Sequence, residues 1–283
     1  MKTYLDCIPC FLKQTIEAAR ITGADEKLQK KIMGEVCRII PDFPLDASPP
    51  QMAVKIHKIV REFTSNKDPY KKIKQDSQKL ALNMYSRLKE QLSQAQDSLS
   101  LAVKIAAIGN IIDFATNDFG TIQRELDDIK NHEFAIFDWE RFKKTLDDAK
   151  TILYIGDNAG ETVFDRILIE KMPKNKKIYY GVRGFPTIND ALEEDAKEAG
   201  IDSYAEIISN GSDAPGTLLD YCSPEFKIIF SGADIIIAKG QGNFESLSGC
   251  NYPLFFLFKA KCLPVARQLN CNVGNLVLKS ERN

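Results

Sequence analysis

Histidine is scarce in this chain: His57 and His132 are the only two in 283 residues. Cys7-Ile8-Pro9-Cys10 is therefore a CxxC without the company of a closed zinc site, which takes four Cys or His ligands. No second CxxC follows, and only Cys37 or His57 stands as a candidate to join the pair. The strand that precedes a redox CxxC is missing too. The pair reads first as a helix start with partly buried thiols, and second as a structural or modulatory metal site. An excess charge of one sign is also absent: 38 basic residues meet 39 acidic ones, a net charge of −1. That balance gives no electrostatic case for nucleic acid, which needs a basic stripe, so any anion site must be local.

Long apolar runs are missing as well. Those around 252–258 and 234–238 fall far short of the ~20 residues that cross a bilayer. The first 14 residues carry Lys2, Asp6 and Lys13 and lack a signal-peptide layout. The seven cysteines are odd in number and scattered, and a chain of this size needs no disulfide scaffold. The expected setting is a reducing cytoplasm, with no membrane and no nucleic acid as partner. A homo-oligomer is left open. There is no internal repeat or low-complexity tract.

What is present divides into two grammars. Residues 26–40 place Leu28, Ile32, Met33, Val36, Ile39 and Ile40 on one helical stripe. Asp68-Pro69 predicts an N-cap followed by proline at the first helical position, with a helix over 70–92. Residues 98–114 are apolar on all sides, the mark of a buried helix. From 151 onward, short β-branched runs at 151–155, 177–182, 204–208, 234–238, 254–260 and 274–278 alternate with helix-like stretches at 161–171, 189–199, 215–221 and 262–269. Strand, helix, strand at this spacing predicts a mainly parallel sheet covered on both faces. The expected architecture is α/β: a helical domain over 1–145 on the cap or substrate side, and a Rossmann-like three-layer catalytic domain over 146–283.

In such sheets ligands bind beyond the carboxyl ends of the strands. The first end reads Gly156-Asp157-Asn158-Ala159-Gly160-Glu161, a tight turn offering hard oxygen donors. The alternative for that turn alone is a strand–helix connection with an Asx-type cap. The second end, Arg183-Gly184-Phe185-Pro186-Thr187-Ile188-Asn189-Asp190, brings a guanidinium and another Asn-Asp pair, and Asp190 reads as a ligand or as a helix N-cap. The third, Lys239-Gly240-Gln241-Gly242-Asn243-Phe244-Glu245, has the composition of a phosphate cradle. Asn210-Gly211-Ser212-Asp213 repeats the theme at a fourth end. Recurrence at consecutive strand ends argues more than any single match. In the helical half, Asn110 and Asp113 share one face of an otherwise apolar helix, either lining the site or capping a turn.

These segments, with Ser48-Pro49-Pro50, Asp68-Pro69-Tyr70, Lys74 and Gly109-Asn110-Ile111-Ile112-Asp113, resemble the damage-control phosphatase family, formerly domain of unknown function eighty-nine, in its small prokaryotic CxxC-containing branch. The resemblance spans nearly the whole chain. It implies a metal-dependent phosphatase of small phosphorylated metabolites, sugar phosphates among them, with Asp157, Asn158 and Asp190 as metal ligands and Lys239 on phosphate. Catalytic roles are expected for Asp157, Lys239 and Glu161, the last ordering water. Substrate contacts are expected from Arg183, Asn110, Asp113, Lys239, Gly240, Gly242 and Asn243. An all-oxygen cage admits Mn²⁺, Mg²⁺, Co²⁺ and Ni²⁺ alike. Direct attack by water is expected, because the two-Asp signature of aspartyl-phosphate enzymes is missing after Asp157. The rival readings are a non-catalytic nucleotide or metabolite binder and a carboxyl methyltransferase.

Overall fold

The computed structural model describes residues 1–109, 129 and 132–281. The expected substrate contacts Asn110 and Asp113 lie outside the described residues. Ile152, Leu153, Tyr154 and Ile155 are fully buried, and a strand apolar on both faces belongs in the middle of a covered sheet. That strand, β2 (Thr151–Ile155), is an interior strand of a seven-stranded sheet. The others are β1 (Phe134–Phe137), β3 (Lys177–Val182), β4 (Glu206–Ser209), β5 (Ile235–Lys239), β6 (Leu254–Lys259) and β7 (Leu276–Ser280). Their order is β1-β7-β6-β5-β2-β3-β4. The five strands β6 to β4 run parallel, β7 lies antiparallel to β6, and β1 runs parallel to β7. From β2 the chain winds outward to β3 and β4, then returns to β5 and β6 on the other side. The crevice beyond β2 and β5 is thus the point where a doubly wound sheet reverses and ligands bind.

Alternation along the strands builds the two faces. Ile152 and Tyr154 join one cluster with Ile235 and Ile237. Leu153 and Ile155 join the other with Ile236 and Ala238. The first face is covered by α4 (Lys71–Ser93), α5 (Ser98–Gly109), α6 (Trp139–Asp148), α7 (Thr162–Ile169) and α8 (Glu193–Glu198). The second is covered by α9 (Pro224–Gly232), α10 (Gln241–Leu247) and α11 (Leu263–Leu269). Three further helices, α1 (Cys7–Ile21), α2 (Glu26–Ile39) and α3 (Pro49–Thr64), carry two small clusters of their own. Among the described residues no helix is long and apolar enough to cross a membrane.

Several expectations are corrected. The sheet begins ahead of position 146: β1 and α6 belong to it, because Trp139 stacks on Phe142 and Phe142 meets Phe255 of β6 edge-on at 5.3 Å. Helices α4 and α5 share one buried cluster with α7 and the sheet. The fourth helix starts at Lys71, not at Pro69, and Asp68 pairs with the buried Lys74 at 3.0 Å instead of capping. The helix expected over 189–199 starts only at Glu193, since the backbone at 189–191 bonds to the neighbouring loop. Over 215–221 there is only a 3-10 turn, Leu219–Tyr221, because the Thr217 N–H goes to Ser246 Oγ at 3.0 Å.

Candidate active site

Strand register sets the site. Ile155 is level with Ala238 of β5 on one side and with Gly181 of β3 on the other. Asp157, Arg183 and Gly240 therefore leave the sheet edge side by side. Ala159 N–H donates to Asn189 C=O at 2.9 Å, and Ala191 N–H donates to Asp157 C=O at 2.8 Å. Asn158 and Asp190 form an antiparallel bridge between those two bonds. The two loops that the sequence marked as separate Asp-Asn turns are thus zipped together, which brings Asp157, Asn158 and Asp190 to one place.

The third loop closes over them. Gly240 has φ +79°, and a Cβ built there would lie 1.9 Å from Asp157 Oδ2. Only glycine allows this approach. Gly240→Ala is expected to displace the Asp157 carboxylate and weaken divalent-cation binding by roughly 100-fold, read by calorimetry on the metal-free protein. Wild-type affinity in that variant would contradict the placement.

Asn158 Nδ2 donates to Asp157 Oδ2 at 3.2 Å and to Glu161 Oε1 at 2.6 Å. Both amide hydrogens are thereby spent on carboxylates, and the amide oxygen faces away from them as a donor for a ligand. Burial and the charges of Glu161 and Asp190 push the Asp157 carboxyl well above the usual range, against the pull of Lys261 and Arg183. Burial also raises Asp190, opposed by Arg183. Acids crowded this way at the floor of a cleft favour a cation. No group of three His, Cys, Asp or Glu side chains is arranged as a metal cage among the described residues. The set here differs in kind, two carboxylates and one amide, and such an oxygen-only set fits a hard divalent ion that keeps positions open for water or phosphate.

The cations chosen from the sequence lie beneath this floor. Lys239 is fully buried, 3.0 Å from Glu161 Oε2 and 2.6 Å from Asp165 Oδ1. Burial acts to lower its pKa, but Asp165 and Glu161 outweigh that and hold it above the ordinary lysine value. Tyr154 and Tyr180 each donate to Asp165 at 2.7 Å, completing a buried network. Arg183, also buried, donates from Nε to Asp190 Oδ2 at 2.7 Å. Asn243 donates to Lys239 C=O at 2.7 Å and to Gly156 C=O at 3.3 Å, joining the ends of β5 and β2. The residues expected to contact phosphate, water or substrate thus already have protein partners: Lys239 has Glu161 and Asp165, Glu161 has Asn158 and Lys239, Arg183 has Asp190, and Asn243 has two backbone carbonyls. Of these contacts, Arg183 to Asp190 and Glu161 to Asn158 reach the candidate oxygen donors directly. Gly242 does line the cleft, while residues 241–247 form a helix rather than an open cradle.

Above the floor lies a cleft of about 700 Å³, between α1 and α3 on one wall and the sheet loops on the other. Its cations are Arg20 and Lys261; His57 stays neutral, its pKa lowered to about 4 by burial and by Arg61. Lys261 is exposed, and its ammonium has no ion-pair partner among the described residues. Its backbone N–H donates to Gln241 Oε1 at 2.8 Å, while Gln241 Nε2 donates to Glu245 at 2.8 Å and to Cys262 Sγ at 3.3 Å. Gln241 thus ties the loop after β6 to the helix beside Asp157. Sequence reasoning missed Lys261, although Ala260-Lys261-Cys262 ends a fifth parallel strand and obeys the same rule as the others. It also missed Asp165, whose signal was a carboxylate within the apolar run 162–169.

Comparison with known proteins places nearly the whole chain in one family. The damage-control phosphatase ARMT1-like domain matches residues 3–277. A damage-control phosphatase of Pyrococcus horikoshii is 35% identical over 98% of this chain and 97% of its own length. A damage-control phosphatase of Archaeoglobus fulgidus is 33% identical over 96% of this chain and 97% of its own. An uncharacterised protein of Methanocaldococcus jannaschii is 39% identical over 96% and 93%. The crystal structure of a Pyrococcus horikoshii protein of the domain-of-unknown-function-eighty-nine family superposes with a TM-score of 0.92, at 34% identity and covering both chains completely. The chain belongs to the damage-control phosphatase ARMT1-like family.

Proposed function

We propose that this protein is a metal-dependent phosphatase of phosphate monoesters of small metabolites, sugar phosphates among them. One observation carries the reading: an oxygen donor set of Asp157, Asn158 and Asp190 shares a cleft with Lys261, a cation unspent on any carboxylate among the described residues. A binder of phosphate alone has no use for crowded carboxylates, and a structural cation site has no use for the free lysine. The names of the two phosphatase relatives support the same reaction class. A cleft of about 700 Å³ suits a metabolite rather than a macromolecule.

Each group has a role in this reading. Asp157, Asn158 and Asp190 would hold a divalent cation, Mg²⁺, Mn²⁺, Co²⁺ or Ni²⁺, which when bound would supply Lewis acidity toward a phosphoryl group. Lys261 takes the phosphate from the opposite side and offsets the charge that develops on its oxygens. Glu161 fixes the Asn158 amide so that its oxygen is presented. Arg183 fixes the Asp190 carboxylate, and Lys239 neutralises the acids below. Helices α1 and α3 read the remainder of the substrate. All seven cysteines are free, which supports a reducing, cytoplasmic setting.

The test is phosphate release from p-nitrophenyl phosphate and a panel of sugar phosphates, with each of the four metals and with chelator. Turnover that requires metal is the expected result. Lys261→Ala is expected to lower kcat/KM by roughly 100-fold, as for loss of a donor to developing oxyanion charge, with metal affinity kept. Absence of turnover with every metal, together with tight binding of a nucleotide or a methyl donor, overturns the reading.

A further inference from the structure

Among the described residues, Ser65, Ile188 and Asn270 are the non-glycine residues with positive φ. Ser65 and Asn270 end helices, where left-handed backbone is routine. Ile188, at φ +42°, ends nothing, and a β-branched residue there is a true outlier. It is the second residue of a turn closed by Asp190 N–H donating to Thr187 C=O at 3.1 Å. Turns that need positive φ at this position ordinarily use glycine. The next two residues are Asn189 and Asp190, which zip onto the Asp157 loop.

What over-determines this conformation comes from the helical half. The Ile188 side chain packs against the cluster of Ala18, Ala19, Ile32, Val60 and Tyr70, drawn from α1, α2, α3 and the start of α4. Beside it, Arg61 of α3 donates to Pro186 C=O at 3.2 Å and pairs with Asp213 at 2.6 Å. The turn is therefore held from the far wall of the cleft. Strain of this kind persists where surrounding structure holds it and the held geometry is used.

We propose that Ile188 is a positioning residue: anchored in the helical half, it holds the turn that presents Asn189 C=O and Asp190 to the Asp157–Ala159 loop. Cation affinity at the sheet edge then depends on a side chain that reaches away from it. For its metal readout this rests on the functional reading above; for its turn geometry it stands alone.

Two variants separate anchor from strain. Ile188→Gly accepts the left-handed backbone freely and loses the anchor. Ile188→Leu keeps an apolar anchor without branching at Cβ. In Ile188→Gly the Mn²⁺ dissociation constant, from calorimetry on metal-free protein, is expected to rise roughly 10–100-fold, as for loss of an outer-shell support. Amide exchange at Ala159 and Ala191, whose N–H groups carry the zipper, is expected to quicken by about the same factor. Ile188→Leu is expected to stay near wild type in both. Wild-type exchange and affinity in Ile188→Gly would overturn the inference, as would equal damage in both variants. Should the wild-type protein take up no cation, the functional reading fails, and exchange at Ala159 and Ala191 still decides this one.

Discussion

Asp157→Asn is expected to lower metal-dependent turnover by more than about 100-fold while leaving the fold as stable as before or slightly more so. On the proposed reading Asp157 is itself a ligand, so the loss must exceed what supporting residues cost when removed. The stability gain follows from the same crowding that makes the site. Asp157 sits among Glu161 and Asp190, and burial and their charges oppose its ionisation. An amide of equal shape ends that repulsion and keeps a hydrogen-bonding group beside Asn158. Activity and thermal melting, measured on one preparation without added metal and then with it, check both halves. A variant that melts far below wild type would place Asp157 among the structural residues instead.

Lys239→Met is expected to fail in the opposite way, through stability. The amine is fully buried between Glu161 and Asp165, at 3.0 and 2.6 Å. Removing one partner of a buried ion pair costs about 3–5 kcal/mol, because the remaining charges are left uncompensated. Here two carboxylates are left, and Tyr154 and Tyr180 donate only to Asp165. For a chain of this size the midpoint of thermal unfolding should fall by about 10 °C. If Lys239 instead reached substrate, the midpoint would hold and the penalty would appear in KM and kcat.

The contrast between these two residues marks how far the sequence was legible. The central strands were readable almost to the residue, because Ile152–Ile155 and Ile235–Ala238 are apolar throughout and only a strand covered on both sides wants that. The rule that ligands bind at carboxyl strand ends then led to Asp157, Asn158 and Asp190, which strand register brings together. Charge at a strand end does not reveal depth, however. Lys239 ends β5 and Lys261 follows the end of β6, yet one is walled in by two acids from α7 and the turn before it while the other is exposed and lines the cleft. That difference depends on Asp165, which lies just beyond the Gly156–Glu161 motif, inside the apolar helix that follows it. Helices were overextended wherever tertiary bonds claimed the backbone, as at 189–191. Capping signals passed unread where they lay outside the strand–helix rhythm: Ser223 caps α9 by accepting from Phe226 N–H at 3.2 Å, with proline in the first turn.

Where a cation binds is the decisive question for this site. Crystals of the protein soaked in Mn²⁺ and measured by anomalous scattering locate it without reference to any substrate. The predicted result is one strong peak within coordinating distance of Asp157, Asn158 and Asp190, lost in Asp157→Asn. An empty floor with Mn²⁺ bound elsewhere, at the Cys7–Cys10 end of the cleft for example, would contradict the central claim.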